Sequence, residues 1–197
     1  MHRIWIGLAT LIVLLCHASV AVSGKPLLEL KVGDEAYVGR SVARNDDICW
    51  LQSPDGRLTR LPLSKVSEFR KVAPQFRSMN VVDVRDQLSR DLSRDFEVSA
   101  AGSYVVAAPA GKARSYAALL DGEQRAFATF YSRRNFGLQQ PEFPMVAIIF
   151  PTEQSFAAYC ESDGVPYAPG LRGYYNPESN RIALFEDEVP LTLVPAS

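Results

Sequence analysis

The sequence is poor in histidine and cysteine, and this scarcity excludes whole classes of site. Its 197 residues include two histidines and three cysteines. Both histidines, His2 and His17, fall in an N-terminal segment with the features of a removable leader. A mature chain without histidine cannot build a Ser-His-Asp relay or a histidine-ligated zinc site. We therefore expect no catalytic residue, no cofactor and no metal site in the chain.

An excess of charge of either sign is also lacking. Lys and Arg total 21 and Asp and Glu total 22, which gives a formal net charge of -1. Proteins that bind nucleic acid usually carry a basic excess, so we expect no nucleic-acid partner. The 47% hydrophobic content is sufficient for a packed core.

Long apolar runs are lacking as well. The run from Ile4 to Cys16 is shorter than the roughly 20 residues that a membrane-spanning helix needs. It follows the basic residue Arg3 and precedes small residues that suit cleavage, which is typical of a secretory signal peptide. We predict a signal peptide over residues 1–23, export to the periplasm or the medium, and no stable membrane span after cleavage. An uncleaved anchor is the alternative.

Two cysteines, Cys49 and Cys160, remain after the leader. Export to an oxidising compartment would permit a disulfide. The residues lie far apart in the sequence, and each falls in an apolar pattern, so buried free thiols are the simpler interpretation.

Residues 24–72 are predicted to form a small barrel. Leu28, Leu30 and Val32 alternate as in a half-buried strand, and Asp55-Gly56 is a hairpin signal. Ser64 is expected to cap one helical turn over residues 65–69. The runs 48–51, 55–57 and 61–67 resemble the bacterial type of SLA homology domain, which implies an SH3-like barrel.

A linker and an amphipathic helix are predicted over residues 73–95. Pro74 interrupts the strand pattern, and Val84, Leu88 and Leu92 then recur every four residues.

Alternating strands and helices are predicted over residues 96–190. Strands are expected at 96–98, 104–108, 145–150 and 180–186, and Thr152 should cap a helix. A long helix is expected over 112–136, with Phe127, Phe130 and Tyr131 on its apolar face. Arginines at its end, Arg133 and Arg134, suit the helix dipole and need no ligand.

This second region resembles the front half of a bacterial domain of unknown function in the peptidase-MA-like gluzincin group. The residues that carry the resemblance include the segments 104–106, 141–150, 173–177 and 179–185. In such proteins a helix with an His-Glu-x-x-His motif follows, and its histidines bind zinc. The printed sequence contains no such motif. We expect an α+β protein, with a small SH3-like β-barrel followed by an incomplete zincin-like α/β layer and a tail over residues 191–197.

Two interpretations of function follow. The first is an exported, non-catalytic protein or peptide-binding module, a truncated or degenerate relative of gluzincin-type metallopeptidases. The alternative is the front part of a zinc metallopeptidase whose motif helix lies beyond this chain. Tyr174, Tyr175, Asn180 and Arg181 form the candidate peptide-binding edge, because an edge strand can pair with an extended peptide.

Overall fold

Within residues 24–186, the part that the computed structural model describes, the chain forms two five-stranded β-sheets and three α-helices. The α+β class predicted from the sequence is therefore confirmed. The predicted signal peptide and the predicted tail lie outside the described residues. No helix between residues 24 and 186 is both long and apolar enough to cross a bilayer.

The first sheet is antiparallel throughout. Its strands are β1 (Leu27–Val32), β2 (Glu35–Arg44), β3 (Ile48–Gln52), β4 (Leu58–Pro62) and β5 (Val66–Ala73). They are ordered β4-β3-β2-β1-β5, so β5 returns to pair with β1. Leu30, Leu51 and Leu61 form the buried centre of this sheet. Leu30 of the predicted alternating pattern thus lies in this core, and Leu28 and Val32 pack against it.

The turn between β3 and β4 is the hairpin that Asp55-Gly56 predicts. Gly56 has a φ of 90°, a conformation that favours glycine. Its N–H donates to the Ser53 carbonyl over 2.9 Å, and the Ser53 hydroxyl donates to Asp55 Oδ1 over 2.6 Å. Local hydrogen bonds therefore fix the shape of this turn.

The segment after β4 differs from the prediction. A single 3-10 turn covers Leu63–Lys65, and the chain from Val66 onward is strand β5. The predicted helical turn over residues 65–69 is wrong, because pairing with β1 decides the conformation there.

The second sheet is mixed. Its strands are β6 (Phe96–Ala101), β7 (Tyr104–Pro109), β8 (Met145–Phe150), β9 (Gly173–Asn176) and β10 (Arg181–Phe185), in the order β6-β7-β8-β10-β9. The central strands β7, β8 and β10 are parallel, and the outer strands β6 and β9 pair antiparallel with their neighbours. Central strand β8 is buried on both faces, as its unbroken apolar run predicts.

Three helices cover the second sheet. They are α1 (Val81–Asp91), α2 (Ala113–Ser132) and α3 (Glu153–Ser162). Helices α1 and α3 pack on one face through Leu88 and Phe156, and α2 packs on the other through Ala113 and Ala117. The predicted Thr152 cap of α3 is confirmed, since its hydroxyl accepts the N–H of Ser155 over 3.1 Å.

The two sheets meet at the β3–β4 hairpin. Leu58 N–H donates to the Glu178 carbonyl over 2.7 Å, and Asn180 Nδ2 donates to the Asp55 carbonyl over 3.1 Å. Arg40 donates to both carboxylate oxygens of Glu142 over 2.6 Å each. This junction between the sheets is therefore fixed by backbone, amide and charged hydrogen bonds.

Candidate functional site

A groove of about 530 Å³ lies between the second half of α2 and residues 138–141. Its apolar walls come from Phe127 on the helix, Leu138 on the facing segment and Met145 at the start of β8. Pockets of this size, mostly apolar with a few polar groups, are typical of ligand sites in proteins.

The polar groups of the groove are available for binding. Glu123, Gln124, Gln139 and Gln140 line it, and none of them makes a side-chain hydrogen bond or ion pair within residues 24–186. Burial, assisted by the negative charge of Asp121, raises the pKa of the Tyr104 hydroxyl, which therefore stays protonated at neutral pH. The groove thus offers amide donors and acceptors, a hydroxyl donor and a single carboxylate.

An aromatic cluster continues from the groove along the end of α2. It consists of Phe127, Phe130, Tyr131 and Phe136. The ring centroids of Phe127 and Tyr131 are 4.5 Å apart, those of Phe130 and Tyr131 are 5.2 Å apart, and those of Tyr131 and Phe136 are 6.0 Å apart. Tyr131 therefore lies at the centre of the cluster.

The end of α2 explains why Phe136 joins this cluster. Asn135 adopts a left-handed conformation with a φ of 62°, and its N–H donates to the Ser132 carbonyl. The N–H of Phe136 donates to the Tyr131 carbonyl over 3.1 Å. These two bonds form a Schellman motif, in which the chain folds back over the last helical turn. The motif brings the Phe136 ring against Tyr131.

The apolar face predicted for the long helix is only partly buried. Ala113, Ala117 and Leu120 pack against the sheet, but Phe127 is 55% exposed and Phe130 is 50% exposed. The residues of α2 in the sheet core, Ala113, Tyr116, Ala117 and Leu120, all come from its first half. Phe127 and Phe130 therefore belong to the predicted apolar stripe but are not covered by the described sheet.

The predicted peptide-binding edge lies on β9 and the turn that follows it. The Tyr174 hydroxyl donates to Asp163 Oδ2 over 3.0 Å, and burial together with this bond raises its pKa. Tyr175 is 58% exposed, and its hydroxyl donates to Asn180 Oδ1 over 3.1 Å. The structure thus brings Tyr175 and Asn180 together, and it turns Tyr174 towards α3.

Asn180 and Arg181 lie at the junction between the sheets. Asn180 Nδ2 binds the Asp55 carbonyl, as described above, and Arg181 Nη2 lies 3.5 Å from Asp91 Oδ2. Arg57 reaches the same Asp91 carboxylate over 3.3 Å. Asn180 therefore contacts the first sheet directly, whereas Arg181 reaches it only through the Asp91 carboxylate of α1 that it shares with Arg57. The peptide-binding edge itself stays a prediction.

The acidic end of β10 is tied to the start of α2. Glu186 accepts hydrogen bonds from Lys112 Nζ and, over 2.9 Å, from the Tyr116 hydroxyl. Across residues 24–186 no group of three or more metal-ligating side chains is close enough to hold an ion.

Sequence reasoning missed the groove. The sequence does contain a signal for it: residues 124–141 include four aromatic residues and three arginines but no aspartate or glutamate. A helix that packs on the sheet through its small residues Ala113 and Ala117 has no need of so many large rings for that contact.

Comparisons with protein-family models, with curated proteins and with solved structures find no match to this chain.

Proposed function

We propose that the protein is an exported, non-catalytic module that binds an extended peptide segment of another protein. The observation that carries this proposal is the groove beside α2. There, exposed apolar side chains lie beside glutamine amides that make no side-chain hydrogen bond within the described residues. An extended peptide needs both, because it has apolar side chains to bury and backbone groups that require hydrogen-bond partners.

The groove chemistry indicates which peptides would bind. Phe127, Met145 and Leu138 suit one large apolar side chain. Gln124 and Gln139 can each donate to and accept from a peptide backbone. Glu123 has no cationic partner within the described residues, so a lysine or arginine next to the apolar residue would add a favourable charge interaction.

The two family resemblances given in the sequence analysis are also part of this proposal. The strand order of the first sheet and its Asp55-Gly56 hairpin support an SH3-like barrel of the SLA homology type. The three parallel strands of the second sheet, with helices on both faces, support a gluzincin-like α/β layer. In this proposal the chain is related to gluzincin-type metallopeptidases and retains a binding surface.

Selection from a displayed library of random peptides tests the proposal. The protein without residues 1–23 contains every described residue and is the form to immobilise. We expect enriched peptides with a large apolar residue beside a lysine or arginine. Phe127→Ser should weaken their binding at least tenfold, because the variant removes the largest apolar wall of the groove. Glu123→Gln should weaken binding of the basic peptides selectively.

Phe69→Ser is the matched control, since Phe69 is an exposed ring on β5, 65% accessible, and far from the groove in the chain. It should leave peptide binding unchanged. The proposal fails if no peptide is enriched over an unrelated immobilised protein, or if the enriched peptides bind Phe127→Ser as tightly as the parent.

A further inference from the structure

The end of α2 and the segment after it are exposed to solvent. Every residue from 132 to 142 is exposed, and these include Phe136 at 60% and Leu138 at 47%. Phe130, in the last turn of α2, is 50% exposed. We call Phe130, Arg133, Arg134 and Phe136 the α2 tip.

The arginines of the α2 tip are placed with its aromatic rings. The Arg134 guanidinium carbon lies 3.5 Å from the centroid of the Phe130 ring, and its Nη1 donates to the Phe130 carbonyl over 3.0 Å. Arg133 has no ion-pair partner among the residues that the structure describes. The helix dipole accounts for two cations at this helix end, but it does not account for exposed rings beside them.

Charge is segregated around the α2 tip. The whole chain is balanced, with 21 basic and 22 acidic residues, whereas residues 126–141 contain two arginines, Arg133 and Arg134, and no acidic residue. Arg125, just before this run, pairs with Asp121 over 2.9 Å. The acidic residues that flank this run, Glu123 and Glu142, lie at the groove and at the junction between the sheets. The α2 tip is therefore a local basic surface that also carries exposed aromatic rings.

We propose that the α2 tip docks the exported protein onto a bilayer surface that contains anionic phospholipid. Exposed phenylalanine rings at a membrane surface can be buried at the boundary between headgroups and acyl chains, while basic side chains beside them stay hydrated. Arginine and lysine next to such rings are attracted by anionic headgroups. A second copy of the chain fits this surface poorly, because a symmetric contact would bring arginines against arginines. The docking is peripheral and requires no spanning helix.

Sedimentation with lipid vesicles tests this proposal. The protein without residues 1–23 is used, so that the apolar leader cannot contribute. We expect it to sediment with vesicles of phosphatidylglycerol and phosphatidylcholine, to sediment weakly with phosphatidylcholine alone, and to be released by high salt. Arg133→Gln and Arg134→Gln should each weaken partitioning roughly fivefold. Phe136→Ser should weaken it as well, because it removes an apolar ring of the α2 tip.

Matched controls come from β5, which carries the exposed residues Phe69 and Lys71, and from the exposed Lys65 just before it. The Lys65→Gln/Lys71→Gln variant removes two exposed cations, and Phe69→Ser removes an exposed ring; both should bind vesicles as the parent does. Urea unfolding midpoints that match the parent would show that the α2 tip variants are folded. Phe127→Ser distinguishes the two proposals. If this variant loses peptide binding but still sediments with vesicles, the docking proposal stands independently of the peptide site.

Several outcomes would overturn the docking proposal. One is the absence of sedimentation with anionic vesicles, and another is equal loss in the β5 control variants. Release by inorganic phosphate beyond that caused by sodium chloride of equal ionic strength would indicate a phosphate site instead. Binding to soluble polyglutamate without vesicle binding would indicate an acidic protein partner, and a dimer in sedimentation equilibrium that Phe136→Ser abolishes would indicate self-association.

Discussion

Gly56→Ala should destabilise the protein through the junction between the sheets. A Cβ atom at residue 56 would lie 2.3 Å from Asn180 Nδ2 and 3.0 Å from Phe143 Cγ. Contacts below 3.0 Å force the neighbours to move, and Asn180 is held by its bond to the Asp55 carbonyl. The substitution therefore strains the hairpin and the β9–β10 turn together.

The expected cost has two contributions. Alanine at a φ of 90° costs about 1 to 2 kcal/mol relative to glycine. Overpacking against Asn180 and Phe143 adds about 1 to 3 kcal/mol. The free energy of unfolding, measured by urea titration, should thus fall by about 2 to 5 kcal/mol in total.

Gly111→Ala separates these contributions. Gly111 has a similar φ of 83°, but nothing lies within 4 Å of a Cβ built there. This variant should lose only the conformational part, about 1 to 2 kcal/mol. Asn180→Gly in the Gly56→Ala background should restore part of the lost stability, because glycine accepts the φ of 52° at residue 180 and removes the clashing amide. Equal costs for Gly56→Ala and Gly111→Ala would refute the packing of this hairpin against Asn180.

Three further predictions concern the core, the thiols and an ion pair. Ile148 is fully buried in β8, so Ile148→Ala should lower the free energy of unfolding by about 2 to 5 kcal/mol, and a negligible change in a urea titration would contradict this. Cys49 and Cys160 are buried free thiols, so a chromogenic disulfide reagent should react with neither before unfolding; fast reaction in the native state would count against their burial. The hydrogen bond from Arg70 lowers the pKa of Glu29, so this contact is present above the ordinary glutamate pKa and is lost as the pH falls through the lowered value. Carboxyl NMR titration should show Arg70→Gln moving the Glu29 pKa back upward, and an unchanged value would exclude the pair.

Elements fixed by a long, regular pattern are predictable from this sequence. Residues 145–150 form an unbroken apolar run, and they are the central strand β8. The four-residue spacing of Val84 and Leu88 predicts the buried face of α1. In both segments the local pattern and the tertiary environment favour the same structure.

Elements decided by tertiary contacts are not predictable in this way. The local sequence of residues 65–69 permits a helical turn, but pairing with β1 makes it part of β5. Phe127 and Phe130 have the spacing of a core face, yet both are about half exposed among the described residues. Spacing specifies which residues share a face of a helix, and it does not specify how far the partner surface extends.

The groove and the junction between the sheets are linked by a single segment of chain. Residues 138–141 form one wall of the groove, and the next two residues, Glu142 and Phe143, contact the first sheet. Arg40 contacts this segment in two ways. It donates two hydrogen bonds to Glu142, and its guanidinium carbon lies 5.5 Å from the centroid of the Phe143 ring. A wall held this way loses less conformational entropy when a ligand binds, because its far end is already ordered. The first sheet therefore contributes to the proposed peptide site without lining it, by fixing the segment against which the ligand would pack.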